Sequence, residues 1–143
     1  MNEPIKSTGM ISTSLGRSIG MLVLEERGKS VEARKPRRGD ICTAVYALIQ
    51  LIPMGYVTSY KSIGDALGVH QRLVALCLKE NRDPIIVPCH RVVYSSRRLG
   101  GYSRLGRPFK AGLLELEGVA LEEGDVVSPK HFINAKSLLC RSP

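Results

Sequence analysis

The hydrophobic pattern of this chain changes period twice. From Gly16 to about Arg34, apolar residues alternate: Ile19, Met21 and Val23, then Val31 and Ala33, with Arg27-Gly28-Lys29 between them. Period-two alternation around a Gly-containing turn predicts a two-stranded β-ribbon. Residues 1–14 carry no period and read as loose chain. From Ile41 the spacing becomes helical, with Ile41, Val45, Leu48, Leu51 and Ile52 assigned to a core face and Asp40 to the N-cap. Pro53-Met54-Gly55 ends that helix. Ser59 caps a second helix, Tyr60 to Leu67, with Ile63 and Leu67 inward, and Gly68 stands where a left-handed C-cap residue belongs. A third helix follows from about His70 to Glu80, with Leu73, Leu76 and Cys77 or Leu78 inward.

After Pro84 the pattern becomes a β-rich apolar run broken by prolines, Pro84-Ile85-Ile86-Val87-Pro88. It predicts a buried extended segment kinked at Pro88, then a short strand. Residues 95–107 form a Ser/Gly/Arg-rich loop. Pro108 fits the first turn of a last helix, given an apolar side by Phe109, Leu113, Leu114 and Leu116 and stopped by Gly118. Beyond it lie a short strand, Val126-Val127, and an amphipathic piece, Phe132 to Leu139. The expected organisation is a β-ribbon region and basic linker over 1–39, a main domain over 40–121 and a tail over 122–143, in the α/β (α+β) class.

Charge adds a partner class. The chain of 143 residues carries a formal net charge of +8, which favours a polyanion such as nucleic acid or an anionic membrane surface. No apolar run approaches the ~20 residues of a membrane span, and the N-terminus lacks a signal-peptide stretch, so a cytoplasmic, monomeric protein with no membrane association is expected. Helix, Gly turn, helix is the arrangement that places a second helix in a DNA groove, although α-rich domains of every kind contain such pairs.

The four cysteines, Cys42, Cys77, Cys89 and Cys140, form no C-x-x-C pair. Neither a disulfide framework nor a zinc site is expected, and no metal or cofactor is called for. Cys42 and Cys77 read as small core residues. Cys89 alone has chemically suggestive neighbours, His90 and Arg91, because a thiolate is favoured by a nearby base or positive charge. In an extended backbone, however, adjacent side chains point apart, so His90 needs a kink or a bridging water to reach the thiol, and a carboxylate to orient it. The same residue types also suit an inert buried cysteine beside a turn-capping histidine, and residue types alone leave both open.

The segment Val87-Pro88-Cys89-His90-Arg91-Val92-Val93 resembles the active-site signature of the O6-alkylguanine-DNA alkyltransferase family. The resemblance continues through Ile52-Pro53-Met54-Gly55-Tyr56-Val57-Thr58-Ser59-Tyr60, Gly101-Tyr102-Ser103 and Leu114-Glu115-Leu116-Glu117-Gly118, covering roughly residues 41–121. It implies a winged helix-turn-helix and a shortened β-ribbon remnant of the usual first domain. It also implies single-turnover DNA repair, in which the alkyl group of O6-alkylguanine in double-stranded DNA passes to Cys89. His90 is then the base, through a water, and Glu117 its holder. Tyr60 is the donor to the purine ring. The Ser103 N–H and the carbonyls of Cys89 and Val92 contact the base edge, and Tyr102 and Leu78 line its pocket. Arg72 fills the space left by the everted base, with Ser59, Gln71 and Asn81 completing the DNA-binding set. Ala75-Leu76 stand where the family often has glycines, and Arg104 follows Ser103 where small residues are common. Two other readings compete: a lesion-binding relative without the acceptor cysteine, and a helix-turn-helix regulator.

Overall fold

A computed structural model of the chain describes residues 6–11, 20–102 and 105–139. Ile19, Ser103, Arg104 and Cys140 lie outside the described residues. The N-terminal ribbon has three strands rather than two. β1 (Lys6–Ile11), β2 (Gly20–Arg27) and β3 (Ser30–Arg34) form an antiparallel sheet in that order. KSTGMI carries no apolar alternation and reads as loose chain; the strand character of β1 comes from pairing with β2, Lys6 opposite Glu25 through Ile11 opposite Gly20. The β2–β3 turn is two residues long, since Arg27 pairs with Ser30 and Gly28 takes φ +63°, the left-handed region glycine enters without penalty. Arg34 ties the ribbon to the next helix: its Nε donates to Glu25 Oε1 at 2.6 Å and its Nη1 to Asp40 Oδ2 at 2.8 Å.

Helix α1 (Arg38–Ile49) starts earlier than the pattern suggests. Arg37 is the N-cap residue, and Asp40 sits three positions on, its Oδ2 accepting from the Arg37 backbone N–H at 2.7 Å. Ile41, Val45, Leu48 and Ile49 are buried, whereas Leu51 is exposed beyond the helix end and Ile52 takes the core position. β4 (Thr58–Ser59) leads into α2 (Tyr60–Leu67), whose first turn is capped by Ser59 Oγ accepting from Ser62 N–H at 3.0 Å. Gly68, at φ +71°, closes α2. α3 (Gln71–Lys79) follows after three residues, with His70 Nδ1 accepting from Arg72 N–H. The turn between them folds back so closely on α2 that a Cβ on Gly64 would lie 2.6 Å from Val69 O and 3.2 Å from Gln71 N, at the start of α3. α3 turns Val74, Cys77 and Leu78 inward, while Leu73 is only partly buried and Leu76 exposed.

Cys42 and Cys77 are joined as a disulfide, which corrects the reading of both as free core residues. They lie 35 residues apart on α1 and α3, and only helix packing brings them together. The same helix pair is joined by Tyr46 Oη donating to Cys77 O and by the Arg38–Glu80 ion pair.

The proline-rich run is not uniformly buried. Ile85 and Ile86 are exposed and Ile85 takes φ +80°, so the segment is a loop. Asn81 organises it: its Nδ2 donates to Val87 O at 3.0 Å and its Oδ1 accepts from Asp83 N–H at 3.0 Å. Val87 returns to the core, Cys89–Arg91 form a 3-10 turn, and β5 (Val92–Val93) pairs in parallel with β4. Helix α4 (Gly106–Leu116) follows, and β6 (Leu121–Glu122) and β7 (Val126–Val127) form a small hairpin. On α4, Leu114 and Lys110 are the buried residues, while Phe109 and Leu116 are exposed. α5 (Ala135–Leu139) packs on α2, burying Ala135 and Leu138 with Met21 of the ribbon and the inner faces of α1–α3. A second core, including Val57, Val93, Leu99, Leu114 and Val127, lies under α4 and the β6–β7 hairpin. No helix among the described residues is long and apolar enough to cross a membrane.

Candidate active site

Cys89 sits at the junction of these layers, buried and lining a cavity of about 480 Å³. Its position follows from local chemistry. Pro88 carries no N–H and has a fixed φ, and the chain tightens after it, with Cys89 N–H donating to Val87 O and Arg91 N–H to Pro88 O. Cys89 and His90 therefore share a 3-10 turn instead of alternating along a strand, and the expected extended geometry is corrected.

His90 points into the protein, 1 % exposed, and its Nε2 lies 2.8 Å from Glu117 Oε1. A carboxylate only accepts, so Nε2 carries the proton in the neutral ring. Nδ1 is buried and meets no hydrogen-bond partner among the described residues. Burial lowers the His90 pKa below its ordinary value, more strongly than the Glu117 hydrogen bond raises it. The ring is thus neutral near pH 7, with a bare acceptor nitrogen.

Glu117, at the C-cap of α4, is held from two further directions: Arg91 Nε donates to Oε2 at 2.9 Å and Arg91 Nη2 to Oε1 at 2.8 Å. Burial alone would raise its pKa, but the hydrogen bonds from Arg91 and His90 outweigh it and keep the carboxyl ionised. Arg91 Nη1 also donates to Ile52 O at 2.8 Å, fixing the cluster to the end of α1.

Around the cavity the structure assembles Tyr60, Leu78, Tyr102, Gln71 and Arg72 with Cys89. It adds Tyr94, Ala75, Lys79 and Gly101, which the sequence reading did not select. Burial raises the pKa of both Tyr60 and Tyr102 to about 12, so both hydroxyls keep their protons. Arg72, Ala75 and Lys79 line up along the exposed side of α3, the spacing of one helix face. The remaining residues of the expected set stand apart from the cavity lining. Ser59 is buried and spends its hydroxyl on the α2 cap, and Asn81 braces the loop that delivers Cys89. Val92 is fully buried, and its carbonyl already accepts from Lys110 Nζ at 2.6 Å.

Lys110 is the main residue that sequence reasoning missed. It is fully buried, its Nζ lies 6.0 Å from the Tyr60 ring centroid, and burial pushes its pKa down to about 8 while the nearby Cys89 opposes that shift. The available signal was its position one turn before Leu114 and two turns before Glu117, on one face of α4.

Comparison with known proteins places this architecture. The family model for the 6-O-methylguanine DNA methyltransferase DNA-binding domain matches residues 40–119, more than half of the chain. A methylated-DNA--protein-cysteine methyltransferase of Saccharolobus solfataricus is 40% identical over 99 residues, covering 67% of this chain and 64% of the relative. Mycobacterium tuberculosis OGT, solved in complex with DNA, aligns with a TM-score of 0.52 and 26% identity over 78% of this chain and 92% of that one. Atl1 of S. pombe, solved with damaged DNA containing O6-carboxymethylguanine, shares the fold with a TM-score of 0.59 at 24% identity, over 68% of this chain and 98% of that one. The chain belongs to the 6-O-methylguanine DNA methyltransferase family.

Proposed function

We propose that this protein repairs DNA by moving the alkyl group of O6-alkylguanine onto Cys89 Sγ, once per molecule. The observation that carries the reading is the pairing of a cavity-facing cysteine with a buried neutral histidine: Nε2 is anchored to Glu117 and Nδ1 has no partner among the described residues. His90 Nδ1 takes the thiol proton through a water, and the imidazolium so formed is stabilised by the adjacent carboxylate. Lys110 Nζ donates to the carbonyl of Val92, three residues after Cys89, and holds the segment that carries the acceptor. Sγ attacks the alkyl carbon, the S–C bond forms as the C–O6 bond breaks, and the electron pair leaves with the guanine. Tyr60, protonated at all physiological pH values, donates to the departing ring. Tyr102 and Leu78 wall the pocket, and the Ser103 N–H serves the O6 position. The thioether is a poor leaving group, so no second turnover follows.

In duplex DNA the alkyl carbon is stacked out of reach, so the base is everted at a cost of about a few kcal/mol. The exposed face of α3 is the DNA-facing surface: Arg72 fills the gap in the stack, Gln71 borders it, and Ala75 is small enough for close backbone approach. The +8 net charge supplies the non-specific attraction to phosphate. The protein acts as a monomer, in the cytoplasm or wherever the cell holds its DNA.

The test is incubation with duplex DNA containing O6-methylguanine, followed by mass spectrometry of the Cys89 peptide. One added methyl group on that peptide is the expected result. Lesion binding without transfer would place the chain with non-enzymatic relatives, and sequence-specific binding with neither lesion preference nor transfer would make it a regulator.

A further inference from the structure

Of the three tyrosines lining the cavity, Tyr60, Tyr94 and Tyr102, the steps above employ only the first and last. Tyr94 directly follows β5, lines the cavity and is 52% exposed. A half-exposed aromatic ring normally moves, but this one is fixed from three sides. Its backbone is pinned by a tight turn, Tyr94 N–H donating to Arg98 O at 2.9 Å and Tyr94 O accepting from Arg97 N–H at 2.8 Å. Its ring rests on Gly100, where a Cβ would come within 3.0 Å of Tyr94 Cε2, and Gly100 has φ +71°. Its other contact is Tyr60, with ring centroids 5.7 Å apart and planes tilted by 46°, a favourable aromatic geometry.

We propose that Tyr94 is a specificity-determining residue that holds the everted purine by ring-to-ring contact in the cavity. The inference rests on the alkyl-transfer reading and adds a residue to its substrate site. A ring already immobilised by Gly100 and Tyr60 gives up little freedom when a base packs on it. Stacking is indifferent to whether the purine arrives in DNA or free, which separates Tyr94 from Arg72, whose task exists only in a duplex. The contact is made in the bound complex and is not altered by the displacement at sulfur. It therefore acts on capture and not on the limiting rate.

The experiment is single-turnover transfer by the full chain. The substrates are free O6-benzylguanine and duplex DNA carrying O6-methylguanine, each over a range of concentrations. Tyr94→Leu is expected to raise the half-saturating concentration of both substrates by about five- to twenty-fold, the lower part of the range for base–aromatic stacking, because the ring is half exposed. The limiting rate should stay within about two-fold, and Tyr94→Phe should restore wild-type behaviour, since the ring and not the hydroxyl does the holding. Should Tyr94→Leu fold poorly by circular dichroism, Tyr94→Gln carries the same test. An unchanged half-saturating concentration, or a loss confined to the limiting rate, overturns the proposal. A wild-type chain that accepts no alkyl group from either substrate instead overturns the alkyl-transfer reading itself.

Discussion

Removing the Cys42–Cys77 disulfide should cost this protein much of its stability while leaving its chemistry nearly intact. The bond closes a loop of 35 residues between α1 and α3. In the chain-entropy treatment, a cross-link of that span restricts the unfolded ensemble by about 4 kcal/mol at room temperature. That is a large share of the roughly 5–15 kcal/mol by which domains are stable. For a chain of this size each kcal/mol shifts the melting temperature by about 3–4 °C, so a drop of roughly 10–15 °C is expected. Cys89 and the His90–Glu117 pair lie outside the bridge, and Tyr46 and the Arg38–Glu80 pair still join the two helices. Transfer from free O6-benzylguanine, assayed below the lowered melting point, should then stay within about two-fold of wild type. The assay is calorimetry of the oxidised protein, of the phosphine-reduced protein, and of the Cys42→Ala/Cys77→Ala variant. Thiol counting before and after reduction should show two additional thiols. Equal melting temperatures for oxidised and reduced protein would refute the entropic argument, and two free thiols at Cys42 and Cys77 in the native protein would refute the bridge.

Three further outcomes follow from the site. Glu117→Gln should slow transfer by about a hundred-fold, the scale of a lost acid–base relay, with DNA affinity by fluorescence anisotropy nearly unchanged; a normal rate would remove Glu117 from the mechanism. Arg72→Ala should slow repair of duplex DNA far more than reaction with free O6-benzylguanine, and equal slowing of both would mean that this exposed arginine does not serve eversion. Burial holds Lys110 at about 8 in the folded protein against 10.5 for the ordinary lysine. Between those values the unfolded chain binds a proton that the folded chain does not, so this residue makes stability rise from about pH 8 to about pH 10. Tyr60 and Tyr102, held near 12, oppose the trend only above about pH 10. Urea denaturation across that window should show a positive slope that Lys110→Met removes; the same slope in both proteins would show that Lys110 is not the titrating group.

The parts of this fold that sequence reading recovered are those decided within a few residues. Ser59 caps α2 through Ser62, and Gly68 ends it in the left-handed region; both are contacts between near neighbours. What it missed depends on residues far apart. β1 becomes a strand because β2 pairs with it, not because KSTGMI prefers one. Cys42 and Cys77 meet because α1 packs on α3. Periodicity also assigned Leu51 and Leu76 to the core, but neighbouring leucines satisfy a 3.6-residue period almost equally, and Ile52, Cys77 and Leu78 took the buried positions.

The site shows the same division with a chemical consequence. An extended Cys89-His90 pair would point its two side chains to opposite faces, and the residues alone therefore gave no reason to prefer a nucleophile over an inert core cysteine. The turn after Pro88 resolves the difficulty without bringing thiol and imidazole into a simple side-by-side pair. Cys89 faces the cavity, while His90 is turned inward onto Glu117, leaving Nδ1 without a partner among the described residues. Lys110 completes the logic from a direction that the sequence concealed, because a lysine in an amphipathic helix is normally read as solvated. Here it is fully buried, and its ammonium is held by the carbonyl of Val92, three residues after Cys89. A buried cation is costly unless its protons find partners, and here the carbonyl that meets Lys110 belongs to the segment that carries Cys89, so a single lysine of α4 braces that segment from the inside.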